Sequence, residues 1–245
     1  MPTPSITISN FNLSYQHKLL FSNFDFYLVA NQWTCILGQS GIGKTSLLRF
    51  IAGLPYGEGV KYSGHISTSD NKLLHSRLAF LSQQDSLLPW LNVTDNILLG
   101  YRLRRKKITN YLKEKVIALL EKVGLQQEAL MKPRQLSQGM RQKVVLIRTL
   151  VENRNVILMD EPFSSLDVIT KLKLQDLSIS LLCNCTVLLV THDPVEALRL
   201  GHRIFILNNS PAKISNIIKP HGVIPRDITD VNLLKEHTKI LQNLA

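Results

Sequence analysis

No apolar run in this sequence approaches the roughly 20 residues that a membrane-spanning helix needs. Its continuous apolar stretches, such as Val156-Ile-Leu-Met159 and Thr186-Val-Leu-Leu-Val190, have the length of strands. The opening residues, Met1-Pro-Thr-Pro-Ser-Ile-Thr7, show no basic flank followed by an apolar core, so no secretory leader is expected. Cysteine is scarce and odd in number (Cys35, Cys183 and Cys185), which excludes a disulfide framework and predicts a reducing, cytoplasmic compartment. The Cys183-Asn-Cys185 pair has no neighbouring His or Cys to complete a four-ligand metal site. Carboxylates are also few, 18 Asp and Glu against 29 Lys and Arg, leaving a formal net charge of +11. Such a charge is compatible with nucleic acid, anionic lipid headgroups or an acidic partner. The densest cluster, Arg102-Leu-Arg-Arg-Lys-Lys107, lacks interleaved aromatics for stacking bases and reads first as a solvated face.

The chain nevertheless has the means to fold. With 44% hydrophobic and 19% charged residues over 245 positions, it suits one large domain, with or without a small inserted lobe. Short strand patterns open it, at Ile6–Ser9, Phe24–Val29 and Thr34–Leu37. The third runs through a glycine-rich turn into a helix from Thr45 to about Ala52, which Gly53 and Pro55 should stop. From about Gln84 to Arg154 the pattern is helical, with Leu112–Leu120 and a helix capped by Ser137 running to Leu150. Strands and helices then alternate: Val156–Met159, a helix from Asp167 to Leu182, Thr186–Val190, a helix from Pro194, Arg203–Leu207 and Ile214–Ile218. That alternation predicts an α/β fold whose mostly parallel sheet is covered by helices, with the helical stretch inserted as a lobe. Residues 230–241 form a short amphipathic pattern at the end.

The strongest chemical signal is Gly38-Gln39-Ser40-Gly41-Ile42-Gly43-Lys44-Thr45, followed by Ser46, between a strand and a helix. The glycines let successive N–H groups turn towards phosphate oxygens, and the helix N-terminus adds its positive end. Lys44 can reach the β and γ phosphates, and the Thr45 hydroxyl can bind Mg²⁺. A second element is Val156-Ile-Leu-Met-Asp160-Glu161, an apolar strand ending in two carboxylates. Strand alternation would turn these to opposite sides. Asp160 then suits the Mg²⁺ shell, and Glu161 suits orienting an attacking water or accepting its proton.

In this order the motifs resemble the ATP-binding cassette family over residues 5–220. Leu136-Ser137-Gln138-Gly139-Met140-Arg141-Gln142 is similar to the family signature, which a second subunit presents across a dimer interface to the γ-phosphate. The resemblance implies a P-loop ATPase core with an antiparallel β portion at its N-terminus. The core would span about 1–83 and 155–220, the helical lobe 84–154, and a helical tail 221–245. It further implies that Tyr15 stacks on adenine, that Gln83 senses Mg²⁺, that Ser164-Ser165-Leu166-Asp167 links two ATP sites, and that His192 contacts the γ-phosphate. Leu87-Leu-Pro-Trp90-Leu, with Asn96 shortly after, resembles import cassettes of the nitrate, sulfonate, taurine and thiamine-precursor group, whose equivalent surface receives a membrane subunit.

The implied function is an ATPase, with ATP and Mg²⁺, that energises an importer by closing and reopening a dimer of cassettes. The implied partners are a like or related cassette, an integral-membrane permease and, indirectly, a periplasmic or extracellular solute-binding protein. The chain would lie peripherally on the inner face of the cell membrane. The alternative, encouraged by the charge, is a single-cassette ATPase acting on nucleic acid or ribosomes. Departures from the family pattern are Gln138 for a glycine, Asn31-Gln32 for a Gly-Glu turn, and Ile147-Arg-Thr-Leu150 where small residues are usual.

Overall fold

The structure is a computed structural model that describes residues 3–16, 18–82, 86–164 and 166–244. In chain order its elements are β1 (Ile6–Tyr15), β2 (Lys18–Leu28), β3 (Trp33–Gly38), α1 (Lys44–Ala52), β4 (Val60–Thr68), β5 (Leu78–Leu81), α2 (Val93–Ile97), α3 (Leu99–Leu103), α4 (Asn110–Lys122), α5 (Gln138–Val151), β6 (Val156–Asp160), α6 (Val168–Leu181), β7 (Thr186–Thr191), α7 (Pro194–Leu200), β8 (Arg203–Asn208), β9 (Lys213–Ile218) and α8 (Val231–Leu244). They gather into two compact units. The first comprises Met1–Leu78, Asn155–Glu161 and Cys183–Ala245; the second comprises Ala79–Arg154 and Pro162–Leu182. Among the described residues no helix is long and apolar enough to cross a membrane.

In the first unit, β6, β7, β3 and β8 lie side by side and parallel, with β9 antiparallel beyond β8. Strands β3, β6 and β7 are buried at every position, as their continuous apolar runs predict for strands covered on both faces. A separate antiparallel sheet has the order β2-β1-β4. Its strands exceed the sequence expectation because β1 continues through an irregularity: Asn10 adopts φ 52°, and the pairing shifts register on both sides. Asparagine tolerates the left-handed region that such a bulge requires, so an apparent strand breaker marks a bend instead. An aromatic chain of Phe11, Phe21, Phe24 and Phe26 runs through this sheet and meets Phe205 of β8.

The end of the first unit is anchored by one guanidinium. Arg226, buried, donates to Leu198 O (2.7 Å) and Gly201 O (2.8 Å) at the C-terminal end of α7. It also donates to Pro220 O, His221 O and Gly222 O. These bonds satisfy carbonyls that a helix end leaves without partners, and they fasten the segment leading to α8. On α8, Leu233 and Ile240 are buried, and the helix packs on α7.

In the second unit, α5 packs against α2, α4 and α6. Four of its helices start where side chains cap them: Asn92 for α2, Thr109 for α4, Ser137 for α5 and Asp167 for α6, each accepting from a first-turn N–H. Buried Asn96 organises the loop ahead of it. Its Oδ1 accepts from Leu88 N (2.8 Å), while Nδ2 lies within hydrogen-bonding distance of Leu88 O, Leu91 O and Asn92 O. The loop so held presents Trp90, 67% exposed, to solvent. Val93 N and Thr94 N bind Met131 O and Ala129 O, which brings exposed Leu130 and Met131 alongside the start of α2.

Replacing Arg226 with leucine should cost about 3 kcal/mol, because it strands several buried carbonyls at once. Lysine, with a single-point ammonium, should recover less than half of that. The shift in urea midpoint at constant slope measures both; an unchanged midpoint for Arg226→Leu would refute the anchoring role.

Candidate functional site

Parallel pairing sets the frame of the site in the first unit. Leu37 of β3 pairs with Thr191 of β7, and Asp160 of β6 pairs with Val190 of β7. The C-terminal ends of three buried strands therefore open at one edge of the sheet, where open α/β sheets bind ligands.

From β3 the chain turns through Gly38–Gly43 into α1. Gly41 and Gly43 have φ 82° and 107°, a region that side chains other than glycine's rarely enter. At Gly43 space is also closed: a Cβ would stand 2.5 Å from Cε2 of Phe21. At Gly38 a Cβ would stand 2.8 Å from Leu207 O on β8. Helix α1 starts at Gly43 with no side-chain cap and no acidic residue in its first turn, so its N-terminal N–H groups are available to an anion. Lys44 is buried; its Nζ donates to Gly38 O (2.7 Å) and Gln39 O (3.0 Å), lying back across the loop it would use to hold phosphate. Burial pulls the Lys44 ammonium below the usual lysine range, against the carboxylates of Glu161 and Asp160, which raise it.

Thr45 Oγ1 donates to Asp160 Oδ1 at 3.1 Å, which brings together a hydroxyl and a carboxylate expected to share a metal ion. Both are hard oxygen donors suited to Mg²⁺. Burial raises the Asp160 carboxyl above the usual range, outweighing the Thr45 hydrogen bond and the Lys44 charge, with Glu161 adding repulsion. Glu161 diverges from Asp160 for a reason other than strand alternation. It lies just beyond β6 in a left-handed conformation, φ 47°, and its N–H donates to Val190 O on β7 (2.9 Å). A non-glycine residue in that region stores backbone strain, which here aims the carboxylate. Its Oε2 meets Nδ1 of His192, one residue past β7, at 3.0 Å. Asp193 follows as the cap of α7, accepting from Val195 N and Glu196 N, and this fixes the backbone that carries His192.

Lys44, Thr45, Asp160, Glu161 and His192 thus lie together in one unit. Tyr15 ends β1 and is partly exposed. Gln83 and Ser165 lie outside the described residues. Ser137, Gln138 and Gly139 open α5 in the second unit, with Ser137 Oγ accepting from Met140 N at 3.3 Å. Gln138 begins the helix with the cap at Ser137 intact, so it does not require a glycine's backbone. Gly139 is closely packed: a Cβ would stand 2.7 Å from Cγ2 of Thr170 on α6, so a larger residue would need that side chain to shift. Sequence reasoning missed Phe21 and Thr170, which pack from distant elements against Gly43 of the loop and Gly139 of α5. No local pattern signals either.

Residues 21–164 match the family described as ABC transporter. The chain is 39% identical to an uncharacterized ABC transporter ATP-binding protein of Haemophilus influenzae, over 98% of each chain. It is 34% identical to the aliphatic sulfonates import ATP-binding protein SsuB of Bacillus cereus, covering 91% of this chain and 87% of that one. Among solved structures it resembles an ATP-binding cassette in a dimeric post-hydrolysis state bound to ADP and Pi. That likeness has a TM-score of 0.75 at 26% identity, over 89% of this chain and all of the other.

The raised Asp160 carboxyl gives a pH-dependent prediction. The native state holds this proton more readily than the unfolded chain, so the contribution to stability falls as pH rises through the raised value. In unliganded protein at pH 7.5, Asp160→Asn should therefore raise the melting temperature. The gain should shrink as pH is lowered into the carboxylate range. Thermal melts across pH measure it, and a variant less stable than wild type at pH 7.5 would contradict the assignment.

Proposed function

This chain belongs to the ABC transporter family, and on that premise we propose that it is the ATP-hydrolysing subunit of a solute importer, working as a dimer of cassettes on a membrane permease. It is an ABC ATPase. The observation that supports the rest of the site assignment is the convergence of Lys44, Thr45, Asp160, Glu161 and His192 at one sheet edge, with the 3.1 Å Thr45–Asp160 and 3.0 Å His192–Glu161 contacts.

The loop from Gly38 to Ser46 wraps the phosphates of ATP, with Lys44 exchanging its two carbonyl partners for the β and γ phosphate oxygens. Tyr15 lies against adenine. Mg²⁺ bound with ATP would neutralise phosphate charge, and the Thr45 hydroxyl and Asp160 carboxylate fit as its protein ligands, with Gln83 a further one. Glu161 orients the attacking water and takes its proton, while His192 holds the Glu161 carboxylate in position and meets the γ-phosphate. Ser137, Gln138 and Gly139 of a second copy complete the site, offering a hydroxyl and helix N-terminal amides to the γ-phosphate. Binding closes the pair and hydrolysis releases it. Work is done on the permease because it binds the two states with different affinity.

Trp90, Leu130 and Met131 provide an exposed apolar patch on the second unit, and we assign it to the permease. The SsuB relatives point to the sulfonate-type import group, which makes a sulfonate the first solute to test. The chain then works peripherally at the inner membrane face, and cargo is chosen by the permease and its external binding protein.

Lys44→Ala should weaken ATP binding severely. Glu161→Gln should keep binding but lower turnover by more than about 100-fold, and accumulate an ATP-dependent dimer. Calorimetry, phosphate release and sedimentation read these three outcomes; normal turnover in Glu161→Gln removes that residue from its role. Tagged Glu161→Gln, recovered from gently solubilised membranes with ATP and Mg²⁺, should bring a multispanning permease with it. Trp90→Glu should abolish that recovery without changing hydrolysis by the isolated subunit. Ribosomes or nucleic acid in place of the permease would overturn the importer reading in favour of its alternative.

A further inference from the structure

The connection between α3 and α4 is the most basic exposed segment of the second unit. Residues 103–113 contain Arg104, Arg105, Lys106, Lys107 and Lys113, with no carboxylate among them. Two nearby cations are neutralised within the unit: Arg102 pairs with Asp95, and Arg104 with Glu152. Among the described residues no ion pair is formed by Arg105, Lys106, Lys107 or Lys113, and all four are exposed. A folded surface with no further role would place like charges apart or pair them, since crowding them costs free energy.

The backbone makes the same point. Helix α3 ends with Lys106 N bonded to Tyr101 O (2.9 Å) and Arg105 N to Arg102 O (2.9 Å), a closing pattern whose left-handed residue is usually glycine. Here that residue is Arg105, at φ 52°. A cation stands where the backbone favours a residue without a side chain. The turn also carries apolar groups into solvent on both flanks: Leu103 ends α3 and is 74% exposed, and Tyr111, in the first turn of α4, is 75% exposed. Thr109, capping α4 through Leu112 N (3.2 Å), holds the second flank in place.

Unpaired cations flanked by an exposed leucine and tyrosine suit an anionic bilayer surface. Headgroup phosphates reward the charges, and the interfacial zone accepts an aliphatic tip and an amphipathic ring. Nucleic acid would reward the cations but gives Leu103 no reason to face water. We propose that the α3–α4 connection is a membrane-contact surface, binding anionic lipid headgroups through Arg105, Lys106, Lys107 and Lys113, with Leu103 and Tyr111 entering the interface. The inference rests on the importer reading only for bringing a bilayer within reach.

The test is co-sedimentation of the purified full chain with vesicles at physiological ionic strength, using phosphatidylcholine alone or mixed equally with phosphatidylglycerol. The wild type should bind the mixed vesicles and ignore the neutral ones. Arg105→Glu/Lys106→Glu/Lys107→Glu should lose at least about tenfold in binding. Lys61→Glu/Lys213→Glu/Lys235→Glu, with the same change in net charge elsewhere, should keep most of it. Leu103→Ser/Tyr111→Ser should lose about threefold or more. Unchanged melting curves and hydrolysis rates verify that the variants are folded. Absence of binding to mixed vesicles would overturn the proposal, as would equal loss in the two charge variants or undiminished binding without Leu103 and Tyr111. Preferential binding of an oligonucleotide at the same salt would overturn it in favour of nucleic acid. The assay contains neither ATP nor a permease, so its failure leaves the importer reading intact, and failure of permease recovery leaves the lipid contact intact.

Discussion

Parallel pairing of β3 with β7, and of β7 with β6, is the constraint from which the chemistry follows. It fixes Leu37 opposite Thr191 and Asp160 opposite Val190, so residues more than a hundred positions apart in sequence emerge at one edge. The phosphate loop, Glu161 and His192 each follow directly on a buried strand, and Asp160 is the last residue of one. A one-residue slip in β6 would reverse every side chain of that strand and remove Asp160 from Thr45. Both faces of these strands are buried, so close packing on each side opposes such a slip, and in this way the apolar interior helps to fix the polar groups at its edge.

The same edge is electrostatically unfavourable until something anionic and something cationic arrive together. Lys44 is buried and leans on two backbone carbonyls, while Asp160 and Glu161 are adjacent carboxylates, one of them largely withdrawn from water. Desolvation pushes Lys44 towards neutrality and Asp160 towards protonation, so both charged forms are maintained at a cost. On the proposed reading phosphate oxygens would relieve the first and a divalent ion the second, so that ligand affinity and apo-state instability would have a common origin. Glu161 adds a backbone component: its left-handed φ is held by the bond from its N–H to Val190 O, which couples the carboxylate's aim to β7.

Much of this was legible in the sequence because each motif is local. Gly38–Thr45 states its own turn chemistry, Ser137 announces a helix through its cap, and the apolar runs at Val156 and Thr186 have strand length. What stayed illegible depends on distant contacts. Nothing near Gly43 reveals that Phe21 closes the space beside it, and nothing near Gly139 reveals Thr170. The length of β1 was hidden because Asn10 looks like a terminator, whereas the strand continues through a bulge. β4 was missed because it is exposed along most of its length and so lacks an apolar face to display. Strand alternation also gave the wrong reason for the separation of Asp160 and Glu161, since a residue just beyond a strand end is free to turn.

On the proposed reading the chain also needs surfaces that a permease can sense, and these need different physics from the sheet edge that carries the candidate site. The candidate site groups sit at or just beyond the ends of buried strands, where displacement by an ångström would already be expensive for the proposed chemistry. The exposed apolar residues of the second unit sit on turns held by a few polar bonds: Trp90 on the loop organised by Asn96, and Leu103 on the turn closed by Tyr101 and Arg102 carbonyls. Such turns present a side chain firmly without burying it, which suits the reversible contacts proposed for them. Area alone would make a contact permanent. Differential affinity comes instead from a few well-held apolar tips with charge around them, since removing one changes the balance between states more than it changes the fold.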